Sequence, residues 1–225
     1  MYLLETHVHT AGVSFCATST PEMVVESYVK AGYHGIISTN HINYCTYKHM
    51  EEKSWEEKVA YFMTGYHALV KAARGRIDVL LGCEINLRGE ANDYLVYGVT
   101  EEWLLKLGYP REMKLEELSQ RVREDGLMIF QAHPFRYGMT IKKETLLDGV
   151  EVFNGNPSHD SHNDITELWA KNRGLRRLAG SDYHHPDSVL GAGILTEERV
   201  TDNQTLLQIL RDGKYQVRCE AYLPE

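Results

Sequence analysis

The sequence predicts an α/β fold, a distorted (β/α)7 TIM-like barrel, and three observations carry that expectation. Short apolar runs alternate with amphipathic stretches along the chain, the pattern of βαβ units and a mainly parallel sheet. About seven such units fit into 225 residues, the length of one closed barrel rather than of several domains. Five of the apolar runs lead into His, Asp or Glu, and a parallel barrel gathers its strand C-termini on one face. Residues 1–225 are therefore expected to form a single barrel domain.

Each element has its own signal. Leu3-Leu4 opens a strand leading to His7. Ser19-Thr20-Pro21-Glu22 starts a helix, with Ser19 and Glu22 at capping-box spacing and Pro21 in the first turn. That helix runs to about Ala31, where Gly32 stops it, and Gly35 to Thr39 follows as a strand. A long helical region from about Glu51 to Arg74 leads to the strand Val79 to Cys83. Tyr94 to Val99 is another strand. A helix from about Leu115 to Glu124, ended by Gly126, precedes the strand Leu127 to Phe130, and Val150 to Phe153 is the next. The helix near Ile165 to Asn172 ends at Gly174 before the strand Arg177 to Ala179. A last helix around Gln204 to Leu210 precedes a strand near Tyr215 to Val217.

Composition narrows the function classes. A hydrophobic fraction of 43% with 25% charged residues builds a core and excludes disorder. No long uncharged apolar run or basic leader is visible, so neither a membrane span nor a secretory signal is expected. Cys16, Cys45, Cys83 and Cys219 are spread without a C-x-x-C pair, which points to a reducing, cytoplasmic compartment rather than a disulfide framework or a cysteine zinc knot. The net charge of -8 argues against an extended nucleic-acid surface, while a nucleotide or short oligonucleotide stays open.

Eleven histidines stand out, and they sit where the fold would converge. His7-Val8-His9 puts two imidazoles on one side of an extended strand, because side chains alternate with period two. Asp182-Tyr183-His184 repeats the spacing with a carboxylate and an imidazole, and Glu84 adds a carboxylate able to bridge two cations. His41 and His133 follow two further apolar runs. A mixed nitrogen and oxygen donor set suits Zn, Mn or Fe.

His7-Val8-His9, Thr39-Asn40-His41, Gly82-Cys83-Glu84, Ala132-His133-Pro134 and Gly180-Ser181-Asp182-Tyr183-His184 resemble the ordered motifs of the polymerase-and-histidinol-phosphatase (PHP) family. The resemblance implies two or three divalent metal ions and hydrolysis of phosphate esters. Carried over position by position, His7, His9, Glu84 and Asp182 resemble a first metal site. Glu84 would bridge to a second site with His133 and His159, and His41 with His184 resemble ligands of a third. Two departures stand beside these matches. Asn40 replaces the usual Asp, and the loop Thr10 to Cys16 carries no acid or His; Cys16 is read as a structural cysteine, with substitution for the missing loop ligand as the alternative. Glu5 stands in place of a common Asp and is expected behind the ligands.

The expected reaction is hydrolysis of a small phosphate monoester or nucleotide-like phosphate by a metal-activated hydroxide. Arg136 is the first candidate for a phosphate clamp and Arg88 the second. His184 or His41 would protonate the leaving alkoxide. Tyr44, Tyr47, Phe135 and Tyr137 are candidates for stacking on a base. Two other readings compete. One is a catalytically degenerate metal-binding or regulatory PHP domain, suggested by Asn40 and the depleted loop. The other is an amidohydrolase-type enzyme acting on C–N or C–O bonds, disfavoured by the lack of Lys at a strand end.

Overall fold

The computed structural model describes residues 1–186, 188 and 190–222. Its strands are β1 (Tyr2–Val8), β2 (Gly35–Ser38), β3 (His41–Ile42), β4 (Asp78–Asn86), β5 (Asp93–Tyr97), β6 (Met128–Gln131), β7 (Gly149–Asn154), β8 (Arg176–Gly180), β9 (Leu190–Thr196) and β10 (Tyr215–Tyr222). Its helices are α1 (Pro21–Lys30), α2 (Tyr44–Tyr47), α3 (Trp55–Ala73), α4 (Glu101–Leu107), α5 (Leu115–Glu124), α6 (Asn163–Arg173) and α7 (Asn203–Asp212).

The sheet runs β10-β9-β1-β2-β4-β5-β6-β7-β8, with β3 added to β4. A parallel bridge from Val8 to Tyr183, just past β8, brings the sheet round on itself. The strands β1, β2, β4, β5, β6, β7 and β8 thus form a nearly closed barrel. β9 pairs antiparallel with β1 and carries β10 outside it. The distortion is concentrated at β5, which is antiparallel to both β4 and β6. The N-terminal end of β5, at Asp93, therefore opens on the same mouth as the C-terminal ends of its neighbours.

Packing fixes which end is closed. Leu4, Leu80, Leu95, Phe130 and Leu178, from five barrel strands, are buried in one cluster with Leu206, Ile209 and Leu210 of α7. Each is two to four residues removed from His7, Glu84, Asp93, His133 or Asp182 on its own chain segment. The apolar plug thus fills the interior and leaves the polar set at the mouth.

Three local expectations are revised. The cap of α1 is Thr20, whose side chain accepts from the Met23 amide, rather than Ser19, which is buried. α3 begins at Trp55 rather than near Glu51, behind a Ser54–Glu57 capping box whose reciprocal bonds satisfy the first exposed amides. β4 continues past Glu84 to Asn86 because β3 and β5 both pair with that extension.

Candidate metal centre

Strand geometry brings the site together. His7 lies in β1 and His9 just beyond it, with ring centroids 5.0 Å apart. His41 and Glu84 are register partners on the parallel strands β3 and β4. His133 follows β6, and Asp182 and His184 follow β8. His133 and Asp182 adopt positive φ, 28° and 48°, a backbone region costly for residues with a β-carbon. The His133 amide is held there by donating to Glu151 Oε2 at 3.0 Å. Gly180 is needed where β8 meets β1, because a β-carbon there would collide with His7 Cβ.

The Glu84 carboxylate is divided between two sets of imidazoles. Its Oε2 lies 3.4 Å from His7 Nε2, 3.3 Å from His9 Nε2 and 2.8 Å from His41 Nδ1. Its Oε1 lies 3.4 Å from His133 Nε2. Asp182 Oδ1 faces His7 Nε2 at 3.4 Å and His9 Nε2 at 3.2 Å, while Oδ2 faces His159 Nε2 at 3.6 Å. His7 Nε2, His9 Nε2, His41 Nδ1, His159 Nε2 and both Glu84 oxygens are buried and make no hydrogen bond. Buried polar atoms left without partners carry a penalty unless something else satisfies them. These atoms converge on shared centres, and the donor set fits divalent cations. His7, His9 and Glu84 form one group of converging donors, Glu84, Asp93 and His133 a second, and His9, His41 and His184 a third.

A second layer fixes the rings. His7 Nδ1 donates to Glu151 Oε1 at 2.8 Å, which leaves Nε2 as the lone-pair nitrogen facing Glu84. His9 Nδ1 donates to Ser14 Oγ at 3.2 Å, and Ser14 Oγ donates in turn to Asn40 Oδ1 at 2.7 Å. His184 Nδ1 donates to the Asp182 carbonyl at 2.8 Å. Glu5 accepts from the amides of Thr6, His7 and Ser181, tying the end of β1 to the end of β8. Burial nonetheless pushes the Glu5 carboxyl up to about 7, against the pull of those donors.

The charges are strongly coupled. Burial opposes ionisation of Glu84 and Asp182, yet His7 and His41 hold Glu84, and His7 and His184 hold Asp182, well below the usual carboxylate range. Burial pulls His7 down, but Asp182, Glu151 and Glu84 drive it well above its ordinary value. Asp93 is raised by burial and by the charge of Glu84.

The structure places the remaining sequence-predicted residues as follows. His159 comes to the cavity beside His133, its ring edge-on at 5.7 Å, whereas His162 is the half-exposed residue before α6. Arg136 lines the cavity with Nη2 3.4 Å from Asp93 Oδ2. Arg88 does not reach the cavity and instead pairs with Glu112 on the surface at 3.2 Å. Of the aromatic candidates only Tyr44 lines the cavity; Tyr47 is core, Phe135 packs on Trp169, and Tyr137 points to solvent. Cys16 is an exposed thiol on the cavity wall rather than a packed structural cysteine. Asn40 does not line the cavity. It braces Thr10 and Ser14 behind His9, accepting from the Thr10 amide at 2.9 Å.

Sequence reasoning missed Glu151, Asp93, Asn154 and Asn156. Asn154 and Asn156 both donate to Asp182 Oδ2, at 3.2 and 3.3 Å. Asp93 had a usable signal, a carboxylate one residue before a strand-like run, but only the reversed direction of β5 brings it to the mouth. The cavity encloses about 430 Å³, within the range of small-molecule sites.

The family model for the PHP domain matches residues 5–215, and the chain belongs to that family. No curated protein matches it. Among solved structures, a two-domain protein from Bacteroides vulgatus, described as containing a predicted PHP-like metal-dependent phosphoesterase, is 15% identical with a TM-score of 0.69 over 96% of this chain. The chain covers 64% of that protein. PsfC from Pseudomonas syringae is 16% identical with a TM-score of 0.66, over 96% of this chain and 88% of that one. The lesion-specific Endonuclease Q from Pyrococcus furiosus is 15% identical with a TM-score of 0.64, over 96% of this chain and 57% of its own. At these identities the likeness is one of fold.

One expectation is overturned here. Endonuclease Q has been solved with a 27-mer duplex substrate whose abasic lesion lies at the active site. The net charge of -8 therefore does not exclude extended nucleic acid for a protein of this fold. Net charge sums the whole surface, whereas the field at a cavity is set by the groups and cations lining it. Among the described residues, no helix is long and apolar enough to cross a membrane.

Proposed function

We propose that the chain is a metal-dependent phosphoesterase whose reaction takes place in the cavity around Glu84. The observation that carries this reading is the division of the Glu84 carboxylate, one oxygen facing His7, His9 and His41 and the other facing His133. His7, His9, Glu84 and Asp182 would hold one cation, Glu84, His133 and His159 a second, and His41 and His184 belong to a third. The nitrogen and oxygen donors favour Zn, Mn or Fe. Divalent cations bound there supply the Lewis acidity that activates water and the charge that a phosphate ester requires.

The chain's own residues do the rest. Arg136 offers a planar fork to two non-bridging phosphate oxygens, and Asp93 keeps it aimed across the cavity. Glu151 orients His7 and the amide of His133 together. His41 and His184 line the cavity, and their contacts with Glu84 and Cys16 support a ligand role over protonation of the leaving group. Tyr44, 55% exposed at the rim, is placed to contact an aromatic group on the ester. The substrate class is a phosphate monoester or nucleotide, and a nucleic-acid strand presenting its phosphate to the cavity belongs to the same class. The whole chain is read as one catalytic unit, and its four free cysteines fit a reducing cytoplasmic setting. Among the described residues, no lysine lines the cavity, which disfavours the amidohydrolase reading.

The test is phosphate release by chelated protein reloaded with Zn, Mn or Fe(II), using phosphomonoesters, nucleotides and oligonucleotide ends, with amides in parallel. Metal-restored phosphate release is expected. Fully loaded protein that releases no phosphate from any of them overturns the reading.

A further inference from the structure

The wall of the cavity nearest His184 carries the thiol of Cys16. Cys16 Sγ lies 3.1 Å from His184 Nε2, and His41 lines the same cavity. Nδ1 of His184 is committed to the Asp182 carbonyl, so Nε2 presents its lone pair to the sulfur. The His41 and His184 rings are 5.8 Å apart, and the His9 ring lies 4.2 Å from the first and 4.3 Å from the second. His9, His41 and His184 each aim a ring nitrogen into this corner within 4.8 Å of the others. The observation independent of the cysteine is His41, whose buried Nδ1 has no hydrogen-bond partner.

We propose that Cys16 is a thiolate ligand of a divalent cation that it shares with His41 and His184. The proposal rests on the metal-dependent reading above and adds a soft donor to it. A tetrahedral cation with ordinary sulfur and imidazole bonds sets the two donor atoms about 3.6 Å apart, so the 3.1 Å spacing needs an opening of only about 0.5 Å. On binding, the Sγ–H bond breaks, its proton leaves to solvent, and its electron pair forms the S–metal bond. The loop Thr10 to Cys16, which holds no acid and no His, thereby still contributes a charged ligand. The chemical consequence is selectivity. A thiolate with two imidazoles favours Zn, Co or Fe(II), and disfavours Mg and Ca, at this one position.

The experiment is titration of chelated full-length protein with Co(II), read by absorption and by bound-metal analysis. The wild type is expected to show the near-ultraviolet sulfur-to-cobalt band together with the visible cobalt bands. Cys16→Ser should lose the sulfur band and one equivalent of tightly held cobalt while keeping the visible bands of the rest. Cys45→Ser and Cys219→Ser, which remove the other exposed thiols, should keep the sulfur band. A Zn–S distance of about 2.3 Å in the X-ray absorption of the zinc-loaded wild type gives the same answer without a variant. Cobalt binding with no sulfur band, or a band that disappears in Cys45→Ser instead, overturns the Cys16 assignment and leaves the phosphoesterase reading standing. Failure to bind any cobalt overturns both.

Discussion

His7 Nδ1 lies 2.8 Å from Glu151 Oε1, a contact between residues 144 apart in sequence that fixes which nitrogen of His7 faces the cavity. Glu151 Oε2 at the same time accepts from the His133 amide and from Asn154 Nδ2. One buried carboxylate therefore aligns groups on both sides of the site. Glu151→Ala is expected to weaken metal binding by about 10- to 100-fold, the usual cost of removing a partner behind a metal-ligating histidine. Glu151→Gln, which keeps an acceptor for His7, should lose less. Calorimetric titration of chelated protein with Zn reads both, and unchanged affinity in Glu151→Ala would remove Glu151 from the account.

Gly180 tests the fit of β8 against β1. A methyl group there meets His7 Cβ and crowds the carboxylates of Glu5 and Glu151. Gly180→Ala should cost about 1–3 kcal/mol from overpacking and lower the metal content of purified protein. A variant with the wild-type melting temperature and full metal content would contradict this placement.

Asn40 supports the loop behind His9 and does not enter the cavity. Asn40→Leu leaves the Thr10 amide and Ser14 hydroxyl buried without their acceptor, an expected loss of about 1–3 kcal/mol. Asn40→Asp keeps that acceptor and should retain wild-type turnover. Activity that appears only in Asn40→Asp would instead favour the degenerate, regulatory reading. Denaturant melts and phosphate-release assays on both variants decide.

Cations that bind the folded site must stabilise it. At 100 times Kd the gain is about 2.7 kcal/mol, which for a chain of this size raises the melting temperature by about 5–11 °C. Differential scanning fluorimetry with Zn or Mn, reversed by chelator, measures this. No shift at saturating metal would count against the site.

Arg136 and Arg88 separate substrate contact from surface pairing. Loss of a charge-assisted clamp costs about 1.5–3 kcal/mol, so Arg136→Ala should raise KM roughly 10- to 150-fold. Arg88, paired with Glu112 at 72% side-chain exposure, should be replaceable by Ala without kinetic effect.

The ligand positions were legible in the sequence because each follows from a local rule. Period-two alternation pairs His7 with His9, and short apolar runs lead to His41, Glu84, His133 and Asp182. Glu151 was not legible: it sits between Val150 and Val152 in a core strand and acts across 144 residues. Asp93 was hidden for a topological reason, since a parallel β5 would have turned it to the opposite end of the barrel. For Cys16 the sequence left packing ahead of ligation, because nothing local distinguishes a buried thiol from one facing a cavity, and only the fold sets it against His184.

The central claim is that Glu84 joins two cations in this cavity. Anomalous X-ray scattering at the zinc edge, from crystals of zinc-loaded protein, tests it directly. The account predicts at least two peaks beside Glu84, one within about 2.0–2.2 Å of Oε1 and another at that distance from Oε2. A cavity without anomalous peaks, or peaks that leave both Glu84 oxygens uncoordinated, would contradict it.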